Sequence, residues 1–197
     1  MLFSEDISLD LPDSDIKYYP NFFNKEDADA YFNSLLKHIN WQQDDITVFG
    51  KTYKQPRLTA LFGNNSKPYR YSNITMYPEN FSEELQQIKD KVETKVSSKF
   101  TTCLANLYRN GNDSNGWHAD NEKELGQNPI IASVSFGAER YFHLKHKNDK
   151  FLKQKLLLQH GSLLLMQGET QHFWLHQIAK TKKEIGQRIN LTFRIIK

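Results

Sequence analysis

The spacing of apolar residues along this chain changes character several times. Between residues 24 and 39 they fall three and four apart, as Tyr31, Phe32, Leu35, Leu36 and Ile39, which lines them up on one stripe of a helix. Asn24 stands where it can cap that helix, and Glu26 and Asp27 lie at its positive end. A second stripe, Leu85, Ile88, Val92 and Val96, predicts a helix starting near Ser82, with Glu83 and Glu84 in its first turn. Between the helices the period is two. Thr47-Val48-Phe49-Gly50-Lys51 reads as a hairpin tip, flanked by residues 52 to 62 with a break at Pro56. After the second helix nearly everything reads as strand, with predicted spans at 101–109, 130–137, 140–146, 153–159, 162–167, 172–178 and 187–196. Turn signals separate them at Asn110-Gly111, Gly137, Asn148-Asp149, His160-Gly161, Gly168 and Gly186. Residues 1 to 20 read as an extended lead-in. Short strands punctuated this often predict a β-sandwich or barrel with helices ahead of it.

Composition narrows the class. At 197 residues the chain suits a single domain with a substantial core. With 38% hydrophobic and 25% charged residues it reads as globular rather than disordered. Cys103 is the only cysteine, which excludes an internal disulfide and points to a reducing compartment. The start, MLFSEDISLDLPDSD, is acidic and has neither the basic nor the apolar region of a signal peptide, and no apolar run reaches membrane-spanning length. An intracellular monomer with no membrane partner is expected, cytoplasmic or, in a eukaryote, nuclear. A net charge of +3 permits a polyanionic partner without demanding one. Aromatic residues at 13% exceed what one core needs, so some rings are candidates for stacking on a ligand.

Three segments carry candidate chemistry. In the last strand Arg188, Asn190, Thr192 and Arg194 share one face, and Ile189, Leu191, Phe193 and Ile195 the other. By itself this describes an ordinary strand with its polar face in water. Turned into a barrel mouth, the same face would offer two guanidiniums to a dicarboxylate. Asn106 and Tyr108 point the same way on the strand Leu104-Ala105-Asn106-Leu107-Tyr108. In the polar loop NGWHADNEKE, His118 and Asp120 lie two apart and can reach one ion together. Two His and one carboxylate on a facial triad are the donor set of non-haem Fe(II) oxygenases. His-x-Asp is a weak pattern, and a third ligand has to come from a distant strand. His160 is expected in an exposed turn, and His143 and His146 on a Lys-rich surface hairpin. His172 and His176 remain.

Taken together, Asn106-Leu107-Tyr108, His118-x-Asp120, Ile131-Ala132-Ser133-Val134-Ser135-Phe136-Gly137, His160-Gly161-Ser162-Leu163, Phe173-Trp174-Leu175-His176 and Arg188-Ile189-Asn190-Leu191-Thr192-Phe193-Arg194 resemble the AlkB family, Fe(II)- and 2-oxoglutarate-dependent dioxygenases that dealkylate nucleic acids. The likeness spans the last half of the chain in order. It implies a double-stranded β-helix (jelly-roll) core as one catalytic domain over residues 1–197. Residues 1–80 would form an extension carrying a helix and a nucleotide-recognition lid at roughly 45 to 75, and residues 81–197 a helix and the core. It implies that His118, Asp120 and His176 hold Fe(II), with His176 preferred to His172. Asn106, Tyr108 and Arg188 would hold the far carboxylate of 2-oxoglutarate, Arg194 would meet the carboxylate nearer the metal, and Asn190 would support the site, with O2 as co-substrate.

The front half resembles the family more loosely. Phe49 is similar to a finger that duplex-active members insert in place of an extracted base. Tyr69 and Tyr71 resemble the paired aromatics of the lid, both rings on one face by alternation. Glu122 matches an acid facing the substrate base, where a carboxylate favours a cationic methylated base over its neutral parent. The resemblance therefore implies oxidative demethylation of 1-methyladenine or 3-methylcytosine in DNA with the base flipped out, the direct-reversal repair of DNA damage. The competing readings are the same chemistry on methylated RNA or a protein side chain, and a non-catalytic nucleic-acid-binding module. Lysines cluster at 145–155 and again at 180–183, either as solvated faces or as phosphate contacts. The sequence does not choose between the clusters.

Overall fold

A computed structural model describes residues 6–48, 50–64, 69–71 and 74–196. In chain order the elements are β1 (Ile7–Leu9), β2 (Asp15–Tyr19), α1 (Lys25–His38), β3 (Asp45–Val48), β4 (Lys51–Lys54), β5 (Leu58–Gly63), β6 (Tyr69–Tyr71) and β7 (Ile74–Met76). Then come α2 (Glu83–Val96), β8 (Thr102–Tyr108), β9 (Asn115–His118), a 3-10 turn (Lys123–Leu125), β10 (Ile131–Gly137), β11 (Arg140–His146) and β12 (Lys153–Leu158). The chain closes with β13 (Ser162–Gln167), the single-turn α3 (Thr170–Phe173), β14 (Trp174–Ile178) and β15 (Arg188–Arg194).

Seven strands form the larger sheet in the order β1-β2-β13-β10-β15-β8-β5, and four form the smaller, β12-β11-β14-β9. Every pairing within these two sheets is antiparallel. The central strands of the larger sheet, β8, β10 and β15, are buried on both faces, and alternation assigns each residue its side. Ala105, Leu107, Val134, Phe136, Ile189, Leu191 and Phe193 pack with Leu35, Leu85, Ile88 and Val92 of the helices. On the opposite face Ile131, Leu164, Met166 and Tyr108 meet Phe142, Leu144, Leu158 and Trp174 from the smaller sheet. This is the expected jelly-roll core with two helices packed outside it. Both helices start where the caps predict: Asn24 Oδ1 accepts from Asp27 N at 2.8 Å, and Ser82 Oγ from Leu85 N at 3.3 Å.

Several expectations change. The lead-in is extended, but β2 is a full member of the larger sheet, paired along β13 from Leu163↔Tyr19 to Gln167↔Asp15. Residues 172–178 are not one strand. Thr170 Oγ1 bonds back to Gln167 O at 2.6 Å, and the amides of His172 and Phe173 to Glu169 O, so the chain makes a helical turn before β14 begins at Trp174. Asn115–His118, read from its polarity as loop, is the edge strand of the smaller sheet. His146 is buried rather than superficial, its ring stacked on Phe173 at 5.8 Å and edge-on to Trp174 at 5.2 Å. His160 is half-buried rather than exposed: its Nδ1 accepts from Gly137 N at 2.8 Å, and its Nε2 lies 3.1 Å from Asp29.

Candidate active site

The cavity lies between the two sheets, lined by alternate residues of β8 and β15 and by His176, Gln177 and Ile178 of β14, together with His118 and Asp120. Antiparallel pairing of β9 with β14 sets His118 directly opposite His176, and the ladder slips between His176 and Ile178. The two imidazoles meet edge to face, centroids 4.2 Å apart. Asp120 is fixed two residues on, where its N–H donates to Gln171 Oε1 at 2.8 Å. Gln171 is fully buried, and its own amide reaches Met166 Sδ at 3.6 Å. As a result one donor atom from each of His118, Asp120 and His176 lies within 4.8 Å of the others.

The protonation states suit a cation. Burial first, then the neighbouring His118, pulls the His176 ring down to about 3, so it is neutral near pH 7 and offers a lone pair. Its Nδ1 has no hydrogen-bond partner among the described residues, and its ring stacks on Phe142 at 5.1 Å. Burial alone would push the Asp120 carboxyl up, but the Arg194 guanidinium and the two histidines outweigh it and hold it below the usual carboxylate range. Arg194 Nη2 donates to Asp120 Oδ1 at 2.5 Å. His118 Nδ1 lies 2.7 Å from Gly116 O, which makes it the proton-bearing nitrogen and leaves Nε2, 3.2 Å from the Asn115 amide, as the acceptor. Two imidazole nitrogens and an ionised carboxylate fit a divalent transition metal. His172 takes no part: it is exposed and bonds Asn128 Oδ1 at 2.8 Å.

The polar face of β15 is not in water. Arg188 is 1% exposed. Its Nη2 donates to Ser135 Oγ at 2.9 Å, and its Cζ lies 5.2 Å from the Tyr108 ring centroid. Nε and Nη1 have no partner among the described residues. Burial lowers the guanidinium to about 10, opposed by Tyr108, so it stays charged at neutral pH. A buried cation with idle N–H groups is costly unless an anion meets it, so the position suits a carboxylate.

Beside it Asn190 donates to Ser133 Oγ at 2.7 Å and Val134 O at 3.2 Å, and accepts from Thr192 Oγ1 at 3.0 Å. Asn106 donates to Asn190 Oδ1 at 3.4 Å and accepts from Arg57 Nε at 2.8 Å. Arg57, Gln171, Ser133 and Ser135 were absent from the sequence-derived set. Ser133 and Ser135 carry a readable signal, since they alternate with Ala132, Val134 and Phe136. Arg57 and Gln171 lie outside any periodic pattern and become visible only when the chain is folded.

On the side expected to meet substrate, Glu122 precedes the 3-10 turn with its Oε2 buried and without a partner among the described residues. Tyr69 and Tyr71 fall on β6, in register with Met76 and Ile74 of β7. The proposed finger residue Phe49 lies outside the described residues; β3 and β4 on either side of it form a hairpin, Val48 paired with Lys51.

A metal-fitting His/Asp/His cluster and two buried arginines between two antiparallel sheets define an oxygenase of the non-haem type. The sequence profile of the 2OG-Fe(II) oxygenase superfamily matches residues 15–194. The chain belongs to that superfamily and, within it, to the AlkB family. The alpha-ketoglutarate-dependent dioxygenase alkB homolog 3 of Bos taurus is 41% identical over 186 residues, 90% of this chain and 64% of that protein. The DNA oxidative demethylase ALKBH2 of Homo sapiens is 36% identical over 188 residues, 90% of this chain and 72% of that protein. The chain thus spans just under two thirds of the length of the first relative. Of solved structures, "The structure of OsALKBH1" superposes with a TM-score of 0.68 at 18% identity, covering 97% of this chain and 100% of that one, which shows the shared fold.

Proposed function

We propose that this protein is an oxidative demethylase that restores N-methylated bases of the 1-methyladenine and 3-methylcytosine type in DNA. The observation that carries the reading is the convergence of His118, Asp120 and His176 in the cavity where Arg188 presents unpartnered N–H groups. When bound, Fe(II) with 2-oxoglutarate and O2 supplies the oxidation of the methyl carbon, with succinate, carbon dioxide and formaldehyde as by-products.

The chain's own residues then do the following. His118, Asp120 and His176 would hold the ion, and Arg194 keeps Asp120 ionised and aimed. Arg188 and the Tyr108 phenol receive the far carboxylate of 2-oxoglutarate, with Asn106 and Asn190 fixing the wall beside them. Arg194 lies close enough to the metal ligands to meet the nearer carboxylate. Glu122 offers a carboxylate oxygen to the positive charge that N-methylation gives the base, Tyr69 and Tyr71 stack on the flipped base, and Phe49 fills the gap in the duplex. The names of the relatives support DNA as substrate. The whole of residues 1–197 acts as one catalytic domain, working as a monomer inside the cell. No described helix is long and apolar enough to cross a membrane.

The reading is tested by incubating protein with Fe(II), 2-oxoglutarate and an oligonucleotide carrying one 3-methylcytosine, and measuring formaldehyde. His176→Ala should abolish release and His172→Ala should retain it. Absence of both formaldehyde and 2-oxoglutarate turnover from the unaltered protein would remove the reading.

A further inference from the structure

The three donor residues are held unequally. His118 and His176 stand opposite each other in the β9–β14 ladder. Asp120 lies past the end of β9, in the stretch 119–122, which belongs to no helix or strand. Arg194 holds its Oδ1, which leaves Oδ2, 3.9 Å from His176 Nε2, as the oxygen on the metal side. Its main chain is held from 51 positions away, where the Asp120 N–H donates to Gln171 Oε1 at 2.8 Å. Gln171 is fully buried on the single-turn α3, and α3 is clamped from several directions. Thr170 Oγ1 accepts from Asp15 N at 3.0 Å, and Trp174 Nε1 donates to Pro12 O at 2.9 Å. Lys147 donates twice, from its backbone N to Phe173 O at 2.7 Å and from Nζ to Gln171 O at 3.0 Å. α3 runs straight into β14, which carries His176. One amide side chain therefore ties the segment bearing Asp120 to the segment bearing His176.

We propose that Gln171 is a positioning residue of the metal site: by fixing the Asp120 amide it holds the carboxylate in place beside His118 and His176 before an ion arrives, and so sets how tightly the ion is kept. The inference rests on the reading of these three residues as metal ligands. Its physical basis is preorganisation. A donor already in place costs no ordering free energy when the ion binds, whereas one on an untethered stretch does. Removing the partners that stand behind metal ligands commonly weakens metal binding by about 10–100-fold. A plainer role for Gln171 would be to satisfy a buried N–H and nothing more. Its loss would then lower stability and leave metal affinity where it was. The bonding favours positioning, because the other end of the amide, Nε2, meets only the weak acceptor Met166 Sδ at 3.6 Å. The bond to Asp120 is the one strong contact the side chain makes among the described residues.

The test is a titration of metal-free protein with Co(II), followed by its visible d–d absorbance, with thermal melting of the metal-free protein measured alongside. Gln171→Met, similar in length but without the amide, should raise the Co(II) dissociation constant about tenfold or more and alter the band shape at saturation. Gln171→Asn draws the acceptor back by one methylene and should act in the same direction; it carries the comparison if the Met variant does not fold. Gln171→Glu keeps an acceptor at full length and should restore both the affinity and the band shape, the second of which added negative charge alone would not restore. Co(II) affinity equal in the unaltered, Met and Asn proteins overturns the proposal, whatever their melting temperatures. So does a Glu variant whose affinity and band shape are as altered as those of the Met variant. An unaltered protein that binds no Co(II) removes the metal reading and this inference with it. If the variants lose Co(II) affinity as expected while the unaltered protein demethylates no 3-methylcytosine oligonucleotide, the demethylase reading fails and the role of Gln171 stands.

Discussion

Arg188 lines the cavity, and its Nε and Nη1 have no protein acceptor among the described residues, while Nη2 is spent on Ser135. A charge-assisted hydrogen bond is worth about 1.5–3 kcal/mol. Arg188→Gln should therefore weaken 2-oxoglutarate binding by roughly ten- to hundredfold at that scale, read by calorimetric titration into metal-loaded protein; unchanged affinity would place the co-substrate elsewhere. Arg57 acts one step removed, holding the Asn106 amide from a loop ahead of β5. Arg57→Ala should raise KM for 2-oxoglutarate a few-fold and leave metal affinity unaltered, a split that general destabilisation would not produce. Residues of this kind mark the limit of what was legible. His118, Asp120, His176 and Arg188 stand in patterned segments and could be named from the sequence. Arg57 reaches Asn106 across 49 positions and Gln171 reaches Asp120 across 51, distances over which no local pattern survives.

Among the elements, β15 was legible in its alternation but not in its surroundings. The same Arg-x-Asn-x-Thr-x-Arg face suits water or a cavity, and only the second sheet above it decides. The starts of both helices were legible because cap and stripe agree. β9 and α3 were hidden, the first by its polar composition at a sheet edge, the second because a single turn is too short to show a period. Two element-scale tests follow. Gly137 ends β10 at φ 84°, and a Cβ there would meet Gln187 O and, at 2.6 Å, the Phe32 ring on α1. Gly137→Ala should cost at least about 1–3 kcal/mol in chemical denaturation, and a cost near zero would show that α1 can lift away. Glu93, on α2, receives Lys89, Lys99 and the Phe100 amide. Burial alone would raise its carboxyl, but these partners prevail and hold it below its usual 4.5. A carboxylate depressed in the fold stabilises above the unfolded value, and that contribution is lost as pH falls through the folded one. The deficit of Glu93→Gln relative to the unaltered protein should be on the order of 1–3 kcal/mol at pH 7 and shrink on acidification below pH 4.5; a deficit constant with pH would contradict the pairing.

For the molecule as a whole, the larger sheet is the structural decision. Helices take one face, which makes it apolar; the smaller sheet covers the other only partly, which leaves room for charged residues to be buried with a purpose. This arrangement explains why Arg188 and Arg194 are retained inside the fold despite their desolvation cost. The family and the jelly-roll core were both readable from the joined motifs, whereas the substrate side rests on residues at the lid and loop, Phe49, Tyr69, Tyr71 and Glu122, whose patterns are individually weak. The most direct test of the central claim is mass spectrometry of a 3-methylcytosine oligonucleotide, with succinate measured in the same reaction containing Fe(II), 2-oxoglutarate and O2. The account predicts loss of one methyl group per lesion with one succinate formed for each, and loss of both signals in Asp120→Ala. An oligonucleotide that keeps its methyl group while succinate accumulates would contradict it.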